Sequence, residues 1–143
     1  MQSDGDGNGN IGIFVIDMNG LKRVNDTYGH EAGDRMIIAF ADILRSTLPS
    51  SSVICRWGGD EFMVLFPRAT RKSLDSYADA LYRATEEYNS TGPEVELYFA
   101  MGAVLSDEHP DLKRTELARL ADERMYRNKQ RWYAEKKQRE GNS

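Results

Sequence analysis

The chain has 143 residues, 19 of them Lys or Arg and 23 Asp or Glu, for a net charge of −4. That length suits a single domain able to bury about two-thirds of its unfolded surface, and the acidic balance argues against general nucleic-acid binding. With 40% hydrophobic and 29% charged residues, no apolar run near the ~20 residues of a membrane-crossing helix and no basic-then-apolar leader, it reads as a soluble cytoplasmic domain without membrane contact of its own.

Met1 to Asn10 is almost entirely Gly, Asp, Asn, Ser and Gln, the composition of a mobile lead-in. Asp4 to Gly9 imitates the start of a calcium loop, but Val15 stands where the bidentate Glu should be, so calcium binding is not expected. Ile11 to Ile16 is an apolar run of strand length, a strand covered on both faces, and it delivers Asp17 at its end. A turn at Asn19-Gly20-Leu21-Lys22 follows, whose backbone N–H groups could cradle phosphate. From Asp34 to Leu48, apolar residues at Ile37, Phe40, Ala41, Leu44 and Leu48 have helical spacing, with Asp34 placed as an N-cap unless it has another task.

Beyond Pro49, two strand-like runs, Ser52 to Cys55 and Phe62 to Phe66, flank Arg56-Trp57-Gly58-Gly59-Asp60-Glu61 and make a β-hairpin. Cys55, the one cysteine, reads as a small core residue in a reducing compartment. Gly58 and Gly59 suit positive φ angles in a tight turn and the close approach of a bulky anion. Asp60 and Glu61 at its tip suit a hard divalent cation, which takes one or two carboxylates and completes its shell with water and phosphate. The competing reading of the same four residues is an ordinary solvated turn.

Arg71 to Asn89 repeats the helical pattern, Asn89 to Pro93 is a turn, Val95 to Leu105 is a strand, and Thr115 opens a final helix through Leu117, Leu120, Ala121 and Met125. Basic residues from Arg124 to Arg139 crowd that helix, either as a solvated face or as an attraction for an anionic ligand. The order βαββαβα with a central antiparallel hairpin is an α+β, ferredoxin-like βαββαβ core with an extra C-terminal helix.

The hairpin and the stretch from Asp17 to Asp34 together resemble the GGDEF family of diguanylate cyclases. Its hairpin reads G-G-[DE]-E-F, which Gly58 to Phe62 match in full. Its first motif reads D-x-D-x-F-K-x-x-N-D-x-x-G-H-x-x-G-D, matched here at Asp17, Lys22, Asn25, Asp26, Gly29, His30, Gly33 and Asp34. The resemblance places a GGDEF domain over residues 11–139, after the lead-in at 1–10, with a fold related to nucleotide cyclases and polymerase palms.

The resemblance implies that two GTP molecules are condensed into cyclic di-GMP at a homodimer interface, each domain binding one GTP, in a protein with a sensory or regulatory domain elsewhere. Asp17, the backbone carbonyl of Met18, and Asp60 then match the ligands of Mg²⁺ or Mn²⁺. Glu61 matches the group that assists deprotonation of the attacking hydroxyl. Gly20, Leu21, Lys22 and Lys129 match the phosphate-binding positions, beside Gly58 and Gly59, and Asn25 and Asp34 match the guanine-binding ones. That assignment has a chemical logic: a carboxylate only accepts hydrogen bonds, and guanine offers two donors side by side.

Several departures accompany the match. Asn19 stands where the motif has its second Asp, and Tyr133 stands where the closing motif has a phosphate-binding Arg, with Arg131 the nearest substitute. The D-x-L-T-G-L-x-N-R segment before the first strand and the strand after the last helix have no counterpart, so an exposed sheet edge is expected. An inhibitory R-x-x-D site falls on Pro49 and Ser52, so product inhibition is expected to be weak. The alternative function is a catalytically inactive GTP- or cyclic di-GMP-binding module.

Overall fold

A computed structural model describes residues 10–141; the calcium-loop imitation at Asp4 to Gly9 lies outside them. The elements are β1 (Ile11–Met18), α1 (Leu21–Tyr28), α2 (His30–Thr47), β2 (Val53–Arg56), β3 (Glu61–Pro67), α3 (Arg71–Ser90), β4 (Phe99–Leu105), a 3-10 turn (Ser106–Glu108) and α4 (Arg114–Gly141). The sheet order is β2-β3-β1-β4 and every pairing is antiparallel. This is the expected α+β, ferredoxin-like arrangement.

β1 is central and buried along its length, as an unbroken apolar run should be. Its alternation splits the core in two. Phe14, Ile16 and Met18 face α1, α2 and α3, together with Phe62, Val64 and Phe66 of β3 and Phe40 and Leu44 of α2. Ile13 and Val15 face the other side, against Leu117, Ala121 and Met125 of α4. Asp17 is next in the odd series, so the period of two that buries Ile13 and Val15 turns this carboxylate toward α4. Each fully buried Phe or Leu of these clusters contributes roughly 1.5–3 kcal/mol.

α4 also protects the β4 edge. The Arg124 guanidinium donates to Ala103 O at 2.7 Å, and Asn128 Oδ1 accepts from Met101 N at 2.9 Å, which occupies outward-facing ladder groups. The opposite edge, β2, is mostly exposed. Cys55 on it is exposed rather than a core residue, because the edge strand has no layer beyond it.

Four further differences from the sequence reading have local causes. Gly20 to Tyr28 is not just a turn but a turn and a helix: α1 has only two turns between Gly20 (φ 85) and Gly29 (φ 93), too short for its apolar period to be read. Asp34 is not an N-cap, since α2 starts at His30 and Asp34 lies exposed in its second turn. Val95 to Tyr98 is not strand: Asn89 bonds Leu97 through both Nδ2 and Oδ1, at 2.9 and 2.8 Å, and so replaces a ladder partner. Finally, Asn10 is no part of a loose lead-in. Its Oδ1 accepts from Ser106 Oγ and Asp107 N, and its Nδ2 donates to Ala69 O.

Candidate active site

The candidate residues converge where β1 ends and the β2–β3 hairpin turns. Asp17 is the cross-strand partner of Glu61, and Met18 N donates to Asp60 O at 2.8 Å, which draws the hairpin tip against the end of β1. α4 runs across this end and brings Lys129 to within 2.7 Å of Asp17 Oδ2. The other oxygen, Oδ1, is buried without a hydrogen-bond partner, as are both amide atoms of Asn19.

The hairpin turn is held by Arg56, which donates through Nε to Gly58 O at 3.0 Å and through Nη2 to Gly59 O at 2.9 Å. Neither glycine has a positive φ, so the tight-turn reason for glycine does not apply. A Cβ on either would meet nothing within 4 Å. No contact within the fold therefore requires glycine at 58 and 59, and the open space in front of them suits the approach of an outside group.

Electrostatics mark the cluster as cation-seeking. Burial pushes the Asp17 carboxyl up, opposed by the Lys129 bond and reinforced by Asp60. Glu61 is raised by burial first, then by Asp122, Asp17 and Asp60. Burial opposes protonation of Lys129, but the bond and charge of Asp17, with Asp60, outweigh it and raise the ammonium. Burial is the first cause for both carboxyls, with neighbouring carboxylates adding to it, whereas for Lys129 those carboxylates overcome burial. Among the described residues no group of three or more His, Cys, Asp or Glu gathers to hold an ion by itself. The residues instead fit a hard cation held by few protein oxygens: a buried, unpartnered Asp17 Oδ1, Asp60 beside it and a backbone carbonyl at Met18, with phosphate and water as the remainder.

Beside the cluster lies a cavity of 390 Å³ lined by Met18, Gly20, Leu21, Lys22, Arg23, Asp26, Asp60, Lys129 and Tyr133. Gly20 caps α1 without a side-chain bond, and Val24 N is bonded back to Gly20 O, so the first-turn amides of α1 open at this cavity. Arg131, the substitute read from sequence, does not line it. Arg23 does, and it was missed because α1 was; Asp26, three residues on, shares that helix face. Asp122, seven residues before Lys129 on α4, was missed near Glu61 for want of the strand register. Asn25 and Asp34 sit apart on the α1–α2 pair. A Cβ at Gly33 would come within 1.8 Å of Asn25 Oδ1, so Asn25 packs against the residue preceding Asp34. A larger cavity of 770 Å³ between the β3 face and the start of α4 is lined chiefly by apolar side chains, Ile13, Val15, Val53, Met63 and Leu65 among them. It meets the acidic cluster at Glu61 and Asp122 but is not lined by Asp17, Asp60 or Lys129, so the smaller, charged cavity is the one that suits phosphate chemistry.

The family model described as "Diguanylate cyclase, GGDEF domain" matches residues 1–133. The chain belongs to the GGDEF family. This GGDEF domain is 31% identical to an N-terminally shortened YfiN (TpbB) from Pseudomonas aeruginosa comprising only the GGDEF domain, at a TM-score of 0.76 over 85% of this chain and 72% of that one. It is 29% identical to Diguanylate cyclase DosC of Escherichia coli over 85% of this chain and 26% of that protein. It is also 33% identical to Cyclic di-GMP phosphodiesterase PdeR of Escherichia coli over 86% of this chain and 19% of that protein. The GGDEF domain thus spans about a quarter or less of those two curated relatives. No helix among its described residues is long and apolar enough to cross a membrane.

Proposed function

We propose that this GGDEF domain is a diguanylate cyclase, condensing two GTP molecules into cyclic di-GMP at the interface of a homodimer. The observation that carries this reading is the juxtaposition of Asp17, Asp60 and Glu61 with a cationic, amide-lined cavity and an open Gly58-Gly59 turn. The relatives named as diguanylate cyclases support it.

Asp17, the Met18 carbonyl and Asp60 would hold Mg²⁺ or Mn²⁺, and the ion supplies charge neutralisation at the triphosphate and at the reacting phosphorus. Lys22, Lys129 and the first-turn amides at Leu21 and Lys22, reached past Gly20, hold the β- and γ-phosphates. Asn25 and Asp34 take the guanine edge, and adenine would leave the Asp34 acceptor unpaired. Glu61, with its raised carboxyl, takes the proton of the attacking 3′-hydroxyl. The domain proper spans residues 11–139, with Asn10 as its first anchor, and it works in the cytoplasm under a sensory or regulatory domain of a longer protein.

One observation favours a second reading, a GTP- or cyclic di-GMP-binding module without turnover: Tyr133 rather than a guanidinium meets the cavity from α4. Incubation with GTP and Mg²⁺, followed by mass spectrometry for cyclic di-GMP, separates the two. Product supports the cyclase, whereas nucleotide binding without product from a dimer supports the module.

A further inference from the structure

We infer that Arg23, on the first turn of α1, is the guanidinium that grips the nucleotide's β- and γ-phosphates in this chain. This rests on the cyclase or module reading above and adds a residue to its binding site.

Three cations line the charged cavity: Lys22, Arg23 and Lys129. Lys129 bonds Asp17 at 2.7 Å, so its charge is shared with that carboxylate. Lys22 and Arg23 form no ion pair among the described residues, not even with Asp26 on the same wall. α4 presents Tyr133, a phenol in place of a guanidinium, and Arg131 is absent from the lining. Arg23 is therefore the one arginine lining the cavity. It sits at the helix end where backbone N–H groups lack intrahelical partners, beside Gly20, which has no side-chain cap to compete for them. Lys22 and Arg23 are consecutive on a helix, so their side chains diverge by about 100°. A phosphate chain lying over the α1 terminus is then met by an ammonium on one side and a planar fork of donors on the other. Guanidinium suits this task because it meets a phosphate with two parallel hydrogen bonds, which an ammonium does not.

The test is equilibrium binding of GTP, GDP and GMP, each with Mg²⁺, by isothermal titration calorimetry to wild type, Arg23→Gln, Arg23→Lys and Arg131→Gln. Arg23→Gln is expected to lose about ten- to a hundredfold in GTP affinity, with GMP affinity unchanged and Arg23→Lys intermediate. Arg83→Gln, exposed on α3 and outside the cavity lining, controls for the loss of one positive charge. Three results overturn the assignment: Arg23→Gln keeping the wild-type preference for GTP over GMP, equal losses for all three nucleotides, or the loss appearing in Arg131→Gln instead. Wild type that binds none of the nucleotides overturns the functional reading, and Arg23 with it. An unchanged unfolding temperature of ligand-free Arg23→Gln checks that the variant is folded.

Discussion

Lys129 Nζ lies 2.7 Å from Asp17 Oδ2, so one oxygen of the carboxylate assigned to the metal is bonded to a cation of the protein's own. The same lysine is assigned to phosphate, and it cannot serve both partners with the same bond. A divalent ion would take the unpartnered Oδ1 and, by drawing on the same carboxylate charge, weaken the Oδ2 bond and free the ammonium for phosphate.

Lys129→Met is therefore expected to change metal and nucleotide binding in opposite directions. Removing a competing charge-assisted bond should tighten Mn²⁺ binding in the absence of nucleotide by about tenfold, while GTP affinity falls. Titration of Mn²⁺ alone, followed by electron paramagnetic resonance, reads the first effect. Weaker Mn²⁺ binding in the variant would show that Lys129 does not compete for Asp17.

Gly33, in the first turn of α2, lies against Asn25 of α1, where the two helices carry the proposed guanine site. A Cβ there meets Asn25 Oδ1 at 1.8 Å, and Leu21 Cδ1 at 3.2 Å. The nearest obstacle is the end of a side chain, so Gly33→Ala is expected to fold with Asn25 swung from its place. The preference for GTP over ATP should narrow, as it should in Asp34→Ser, which removes the acceptor-only carboxylate. Competition binding gives the ratio, and an unchanged ratio in both variants removes base recognition from this helix pair.

The unbroken apolar run of β1 was legible in sequence, as were the helical periods of α2, α3 and α4, because each of those helices is long enough to show its period. So was the ferredoxin-like order, because a hairpin between two β–α segments leaves few other topologies. The pairing of Asp17 with Glu61 and the reach of Lys129 were accessible only through family resemblance. They depend on strand register and helix placement, which join residues 44 and 112 positions apart. α1 was missed for its length and Arg23 with it, while Cys55 was misplaced because an apolar run does not say which strand is the edge.

Gly102 sets the distance between α4 and the sheet. A Cβ there would lie 2.0 Å from Ala121 O and 2.4 Å from Met125 N, both backbone atoms that cannot swing aside. Gly102→Ala should lift α4 from β4, costing about 3 kcal/mol, or roughly 6–12 °C in melting temperature. Since α4 carries Lys129, nucleotide binding should weaken as well. A melting temperature within a degree or so of wild type would show that the helix and sheet accommodate the methyl group.

Glu108 accepts from Arg71 Nε at 3.0 Å and from Nη2, tying the 3-10 turn to the start of α3. That bond holds the Glu108 carboxyl below its ordinary value of 4.5. A depressed folded-state value stabilises the native state above the unfolded value and is lost as pH falls through the folded one. Wild type should thus exceed Glu108→Gln by less than about 1 kcal/mol at neutral pH, the range of an exposed pair. The gap should close below pH 4.5. Urea unfolding at neutral pH and well below that value measures it, and a gap that widens in acid contradicts the assignment.

Asp60 should be needed for metal and turnover but scarcely for folding. Its backbone oxygen, which takes the Met18 N–H at 2.8 Å, is retained in Asp60→Ala. Its carboxylate adds to the repulsion felt by Asp17 and Glu61. Without metal, the variant is therefore expected to melt at the wild-type temperature or slightly above it. With Mg²⁺ and GTP the order reverses, because a ligand at a hundredfold excess over Kd stabilises the native state by about 2.7 kcal/mol. Wild type should show a melting temperature that climbs with Mg²⁺·GTP, while Asp60→Ala shows little rise and makes no cyclic di-GMP. A variant that responds like wild type places the metal elsewhere and removes Asp60 from the mechanism. If wild type shifts yet yields no product even when forced to dimerise, the site binds nucleotide without turning it over, and the module reading prevails.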